Sequence, residues 1–211
     1  MRKVQDYYFK KAKKEKYPAR SVYKLEEAQK KHRFIKSGDT VLDFGFYPGS
    51  WSMYAARVVG PQGLVVGVDL QKANKITLAK AAEIIWFCDD IMLDDIVGKM
   101  QEVRKTFDIV LSDMAPQTSG NKWVDQQQSL NLVQRVLELA ESLLRKDGNF
   151  YVKVFEGEDF KDFVDSVRKS FKTVKIVKPK SSRSESNEVF VLGIGYLKNR
   201  GQGAKGSRCQ G

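Results

Sequence analysis

Thr40-Val41-Leu42-Asp43-Phe44-Gly45-Phe46-Tyr47-Pro48-Gly49-Ser50-Trp51 is an apolar run with one acid, a Gly/Pro turn and a fresh start. A short apolar run that stops at turn residues reads as a buried strand, and residues 50–59 as the helix after it. The pattern recurs downstream. Residues 64–69, 84–89 and 107–113 are apolar runs that each end in an acid: Asp69, Asp89 and Asp113. Residues 124–145 form a long amphipathic helix closed by a turn at Lys146-Asp147-Gly148. A fifth strand follows over 149–155, a helix near 158–171, and strands over 173–177 and 188–196. Strands that alternate with helices make βαβ units, hence a parallel sheet with helices on both faces. Only Lys178-Pro179-Lys180-Ser181-Ser182-Arg183 and a few more residues join the last two strands, which suits an antiparallel hairpin at the sheet edge.

Upstream of the first strand, residues 19–32 form a helix with Val22, Leu25 and Ala28 on one face. Residues 2–16 are Lys-rich and predicted to be helical at best near Tyr7, Tyr8 and Phe9. From Lys198 to Gly211 the chain is Gly- and Lys/Arg-rich with almost nothing to bury, which predicts a flexible basic tail. The expected organisation is one domain over residues 1–197, with residues 1–33 as a basic extension packed on it and 198–211 as the tail.

The chain's 211 residues carry a formal net charge of +11, unevenly spread. Residues 1–33 hold 12 Lys/Arg against 4 Asp/Glu, and residues 161–211 repeat those counts. Residues 34–160 hold 13 against 18. Basic ends around an acidic centre point to a polyanion footprint made by both termini, with nucleic acid as the leading partner class. No apolar run approaches the ~20 residues of a membrane span, and the start lacks the apolar core of a secretory signal. Two cysteines, Cys88 and Cys209, give neither a disulfide framework nor a zinc site, so a cytoplasmic protein with no bound metal is expected.

Ligands of an open parallel sheet bind beyond the carboxyl ends of its strands, where Asp43, Asp69, Asp89 and Asp113 gather with the Gly45–Gly49 turn. The glycine spacing fits neither a dinucleotide fingerprint nor a phosphate loop. Carboxylates repel a pyrophosphate but suit a ligand with ribose hydroxyls and a positive centre. S-adenosylmethionine, with its sulfonium and ammonium groups, has both. Each residue also has a plainer use: the glycines as a tight turn, the acids as helix caps, Trp51 as core.

Two lysines and an acid stand out further. Lys153 interrupts the apolar strand Phe150-Tyr151-Val152-Lys153-Val154-Phe155, Glu188 opens the last strand, and Lys24 lies on the early helix. With these residues the chain resembles the FtsJ (RrmJ) family of ribosomal RNA ribose 2′-O-methyltransferases. The matching blocks are Ala19-Arg20-Ser21-Val22-Tyr23-Lys24-Leu25, Pro48-Gly49-Ser50-Trp51-Ser52, Ser112-Asp113-Met114-Ala115-Pro116, Tyr151-Val152-Lys153-Val154-Phe155 and the stretch from Ser181 to Glu188. They fall in order from about residue 6 to 196. The resemblance implies a Rossmann-like methyltransferase fold: a seven-stranded, mostly parallel sheet with one antiparallel edge strand. It implies S-adenosylmethionine as the donor, a catalytic set of Lys24, Asp113, Lys153 and Glu188, and cofactor contacts at Gly49, Trp51, Asp69, Asp89 and Asp113.

The implied substrate is a ribose 2′-hydroxyl, of a uridine by expectation, in ribosomal RNA of the large subunit or its precursor, methylated by a monomeric enzyme. A transfer RNA methyltransferase of the same superfamily shares these motifs, and an RNA-binding assembly factor with a decayed cofactor site is the alternative from another class. The chain departs from the family where small residues are usual and it has Phe46 and Tyr47, and where it has Ser50 in place of glycine. That bulk either narrows the pocket or packs beneath it.

A ribose hydroxyl attacks only as its proton leaves, so a base must lie within hydrogen-bond reach. Lysine is a base only in its neutral form, which burial and a neighbouring cation both favour. Lys153 is the candidate base, Lys24 its neighbour, and Glu188 an orienting group.

Overall fold

In a computed structural model, residues 2–72, 76–115, 122–183 and 186–198 are described, the side chains of 2–6 and 122–126 excepted. The expected tail beyond Lys198, Cys209 included, lies outside the described residues. β1 (Thr40–Phe44) is buried at every position, as its apolar run predicts, and pairs in parallel with β2 (Leu64–Asp69) and β4 (Phe107–Ser112). β3 (Glu83–Cys88) extends one side of the sheet. β5 (Leu144–Phe155), β7 (Glu188–Tyr196) and β6 (Phe171–Val177) extend the other, for an order of β3-β2-β1-β4-β5-β7-β6. The hairpin forms at the sheet edge, as expected. Its reversed strand is β7, which lies between β5 and the outermost strand β6 and is antiparallel to both.

The helices are α1 (Arg2–Lys14), α2 (Val22–His32), α3 (Ser50–Val59), α4 (Ile96–Val103), α5 (Lys122–Leu143) and α6 (Phe160–Ser170). Two features differ from expectation. The Lys-rich start is one continuous helix, because Ala12 and Tyr8 pack against Val22 and Tyr23 of α2. α4 has no counterpart in the sequence reading; its Ile96 and Met100, four apart, supply the buried stripe. The predicted turn at residues 146–148 is present as a bulge inside β5, where Asp147 has φ 65° and the pairing with β4 slips.

Strand side chains alternate between faces, and that alternation sorts the whole site. Leu42 and Phe44 of β1, Val110 of β4, Val152 and Val154 of β5 and Val191 of β7 join the core cluster that includes residues of α4, α5 and α6. Val41, Ile109 and Leu111, Tyr151, and Phe190 and Leu192 face the other way, packed with Leu25 and Ala28 of α2 and Trp51, Ala55 and Ala56 of α3. Steps of two along the same rows place Asp43, Asp113, Lys153 and Glu188 on this second face. α2 covers it and carries Lys24.

Candidate active site

The chain runs outward from β1 through β2 to β3 and then returns to β4 on β1's other side, so the strand order reverses between β1 and β4. Crevices open at such reversals. Gly45 ends β1 with φ 75°, and a Cβ there would lie 2.0 Å from the Met114 side chain, so only glycine lets the segment after β4 come this close. Gly49, with φ 101°, sits just before α3. By position, the N–H groups of Ser50 and Trp51 fall in the first turn of α3, where a helix offers them no acceptor.

Phe46 is buried and stacks on Trp86 with ring centroids 6.0 Å apart. It lies over Gly67 of β2, where any Cβ would come within 2.8 Å of its ring. Phe46 therefore packs beneath the turn and fills a hole that Gly67 leaves, while Tyr47 is exposed. The Tyr47 N–H donates to Asp69 at 3.0 Å, and the Gln71 N–H donates to the other carboxylate oxygen at 2.8 Å. Asp69 thus holds the glycine turn and keeps a free lone pair on each oxygen. Asp89 accepts from the Asp90 N–H at 2.9 Å and from Lys99 at 2.6 Å. The hydrogen bond from Lys99 holds its carboxyl below the usual carboxylate range.

At the ends of β4, β5 and β7 four charges alternate in sign. Glu188 lies 2.8 Å from Lys24 Nζ, Lys24 lies 3.9 Å from Asp113 Oδ1, and Lys153 Nζ lies 3.1 Å from the same oxygen. Lys153 also donates to the Asp113 carbonyl. Lys153 and Glu188 are each only 8% exposed. Burial pushes the Glu188 carboxyl up, but the hydrogen bond and charge of Lys24, helped by Lys153, outweigh it and leave the group below its ordinary value. Asp113 Oδ1 is buried and makes no hydrogen bond, although both ammonium groups lie within ion-pair distance.

Lys24 is fixed from both sides. Tyr151 Oη donates to the Lys24 carbonyl at 3.2 Å, and Trp51 Nε1 donates to the Ser21 carbonyl at 2.9 Å. Ser50, where glycine was expected, accepts the Ala19 N–H at 2.7 Å and docks the approach to α2 onto α3. The indole of Trp51, an expected cofactor contact, is 3% exposed, stacked on Tyr151 at 5.5 Å and near Phe190 at 5.8 Å, which leaves the residue's backbone as the group to make that contact.

Asp43 belongs to the site's foundation, a use its place in the strand-end row did not reveal. It is buried, accepts from Ser52 Oγ at 2.6 Å, and is pushed up to about 7, chiefly by burial, with the charges of Asp113 and Asp69 adding to it. The other predicted residues fall into two groups at one end of the sheet: Gly49, Asp69 and Asp89 around the turn, and Lys24, Asp113, Lys153 and Glu188 beside it. Pro116 of the quoted Asp113 block, and Ser184 and Glu185 of the last block, lie outside the described residues.

Comparison with known proteins bears directly on this cleft. Residues 17–196 match the family model of FtsJ-like methyltransferases. The chain is 56% identical over 198 residues to ribosomal RNA large subunit methyltransferase E of Desulfotalea psychrophila, covering 94% of this chain and 98% of the relative. It is 46% identical to the protein of the same name from Desulfosudis oleivorans, over 92% of this chain and 91% of that one. A Plasmodium falciparum crystal structure described as a ribosomal RNA methyltransferase superposes with a TM-score of 0.73 at 25% identity, covering 87% of this chain and all of that one. Aeropyrum pernix fibrillarin, solved with S-adenosylmethionine bound, shares the fold at a TM-score of 0.58 and 16% identity, over 82% of this chain and 76% of its own. With its cleft at the β1/β4 reversal and its sequence matched from residue 17 to 196, the chain belongs to the FtsJ-like methyltransferase family.

Proposed function

We propose that this methyltransferase transfers a methyl group from S-adenosylmethionine to a ribose 2′-hydroxyl, that of a uridine, in large-subunit ribosomal RNA or its precursor. The observation that carries the reading is the alternating set Glu188–Lys24–Asp113–Lys153 beside a carboxylate-lined glycine turn. The donor set fits the cofactor. Asp69 and Asp89 retain accepting lone pairs for sugar hydroxyls, Gly49 and the Trp51 N–H sit at the turn, and buried Asp113 Oδ1 makes no hydrogen bond. When bound, S-adenosylmethionine supplies a methyl group on a cationic sulfur, which leaves as a neutral thioether.

Lys153 is the group placed to take the proton of the 2′-hydroxyl as charge develops on that oxygen. Asp113, 3.1 Å from Lys153 Nζ, fixes the amine's direction and joins the donor half of the cleft to the acceptor half. Lys24, held by Glu188, presents a fixed cation that steadies the oxygen as its charge develops. Positioning of oxygen, methyl carbon and sulfur in line supplies much of the rate.

Described parts of the two basic ends meet beside this cleft. Glu27 of α2 accepts the N–H groups of Lys180 at 2.6 Å and Ser181 at 3.0 Å, which ties the loop after β6 to α2. Lysines of α1 and α2 and residues 178–183 thus supply cations for phosphates on either side of the target ribose. Among the described residues no helix is long and apolar enough to cross a membrane, and Cys88 is a free, exposed thiol, which a reducing cytoplasm preserves.

Incubation with labelled S-adenosylmethionine and three acceptors, free large-subunit RNA, assembled large subunits and transfer RNA, tests the reading. Label recovered as a 2′-O-methyl nucleoside from either ribosomal acceptor is expected. Label on transfer RNA alone, or on a base, would overturn it.

A further inference from the structure

Beyond the catalytic cleft, α1, α2 and the end of β6 enclose a second cleft of 630 Å³. Its walls include Tyr7 and Tyr8 of α1, Lys31 of α2, and Ile176, Pro179 and Lys180 at the end of β6 and just after it. Two features are unusual for a plain surface groove. Tyr7 is 61% exposed and Ile176 51% exposed, so apolar area stays open to water on both the α1 and the β6 part of the lining. The tyrosines are also braced: Tyr7 meets Tyr8 edge-on at 5.3 Å, and Tyr8 leans on Tyr23 at 5.4 Å. A braced ring offers a flat apolar face at little cost in side-chain entropy.

The charges favour an anionic strand. Glu26 is paired with Lys11 and Lys30, both oxygens of Glu27 are occupied by backbone N–H groups, and the five lysines of the lining outnumber these two acids. Exposed Lys31 and Lys180 remain at its rim. The cleft also adjoins the catalytic set. Lys178 donates to the carbonyl of Glu188 at 2.7 Å. Lys24 and Lys31 share α2, about 10 Å apart along its axis at ~1.5 Å per residue. That span matches about three nucleotides of a stacked strand at ~3.4 Å each.

Resting on the methyltransferase reading above, we propose that this cleft is a stacking subsite for the substrate RNA. It takes a base within about three positions of the methylated ribose against Tyr7, with the flanking phosphates on Lys31 and Lys180. Aromatic platforms between cations are how proteins hold single-stranded nucleic acid without reading its sequence.

The probe is a single-stranded, uridine-rich RNA oligonucleotide carrying one 2-aminopurine, whose fluorescence falls when it stacks. Wild type and Tyr7→Phe should bind it alike and quench it. Tyr7→Ala should bind about tenfold more weakly, the weight of one base stack, lose the quenching, and keep the salt dependence. Lys31→Ala should instead flatten the log–log salt slope by about one. Unchanged S-adenosylmethionine affinity in all variants reports an intact fold. Tyr7→Ala with wild-type affinity and quenching overturns the proposal. A defect seen only with assembled large subunits also overturns it, by assigning the cleft to a protein of the particle. In both cases methyl transfer by the wild type persists, whereas failure of the functional reading removes transfer itself.

Discussion

At the ends of β2 and β3, Asp69 and Asp89 are held by the N–H groups of Gln71 and Asp90 just after them, by the Tyr47 N–H of the turn after β1 and by Lys99 of α4, none more than 22 residues away. At the ends of β4, β5 and β7, Asp113 and Glu188 are held by Lys24 and Lys153, brought from distant parts of the chain. The first arrangement links neighbouring turns over short stretches of chain and leaves lone pairs over for a ligand. The second exists only once α2 has docked on the sheet, and it places cations where a hydroxyl must lose a proton. A single cleft therefore has a donor half that is cheap to form and an acceptor half that depends on the whole fold.

If that contrast holds, damage to the acceptor half has the larger effect. Lys153→Ala should lower methyl transfer by at least about 10²–10⁴-fold, the usual weight of a positioned acid–base group. Its S-adenosylmethionine affinity by calorimetry should stay within a factor of two, since the donor half keeps its own turns. Turnover above one-hundredth of wild type would leave Lys153 a positioning residue.

Asp43, beneath both halves, carries a distinct signature. Its carboxyl is pushed up to about 7 by burial, against an ordinary value near 3.8. Between those pH values the folded protein holds a proton that the unfolded chain has released, so this group makes stability fall as pH rises from about 4 to about 7. About three pH units at ~1.36 kcal/mol each give a loss of about 4 kcal/mol. Glu188 has the opposite sign: its lowered value adds stability above its unfolded pKa, which is lost as pH falls through the folded one. Urea unfolding of wild type and Asp43→Asn at pH 5 and pH 8 checks the first. The variant should lose the decline, and parallel curves would count against it.

In the donor half, Asp69→Ala should weaken S-adenosylmethionine binding by about 1–3 kcal/mol, measured by calorimetry. Part of that loss comes from the Tyr47 turn that Asp69 holds. Unchanged affinity would move the pocket elsewhere. The smallest expected effect is at the periphery. Changing Lys10, Lys11 and Arg20 together to Ala should flatten the salt dependence of RNA binding by about one unit of slope per lost phosphate contact. Cofactor affinity should be unaltered. An unchanged slope would make the N-terminal charge a matter of solubility.

The sheet was legible because most of its strands are largely apolar runs bounded by turn residues: β2, β7 and α3 have the bounds that their runs and turns predict. α1 and α4 were less so, since a Lys-rich helix and an eight-residue helix owe their form to partners that pattern alone does not name. In the site, the acids at strand ends could be read from position, and the catalytic four came mainly through resemblance to a family. What stayed hidden were pairings between distant residues. Phe46 fills the space above Gly67, Ser50 anchors Ala19, and Trp51 spends its side chain on the core and on Ser21. Each depends on where two segments meet, which neither segment's own sequence states.

Ribose methylation mapped across all cellular RNA, in cells with the protein, without it, and with only its Lys153→Ala form, addresses the proposed activity itself. One 2′-O-methyl mark in large-subunit ribosomal RNA should be present with the wild-type protein and absent in the other two. Persistence of every large-subunit mark without the protein, or full restoration by Lys153→Ala, would contradict it.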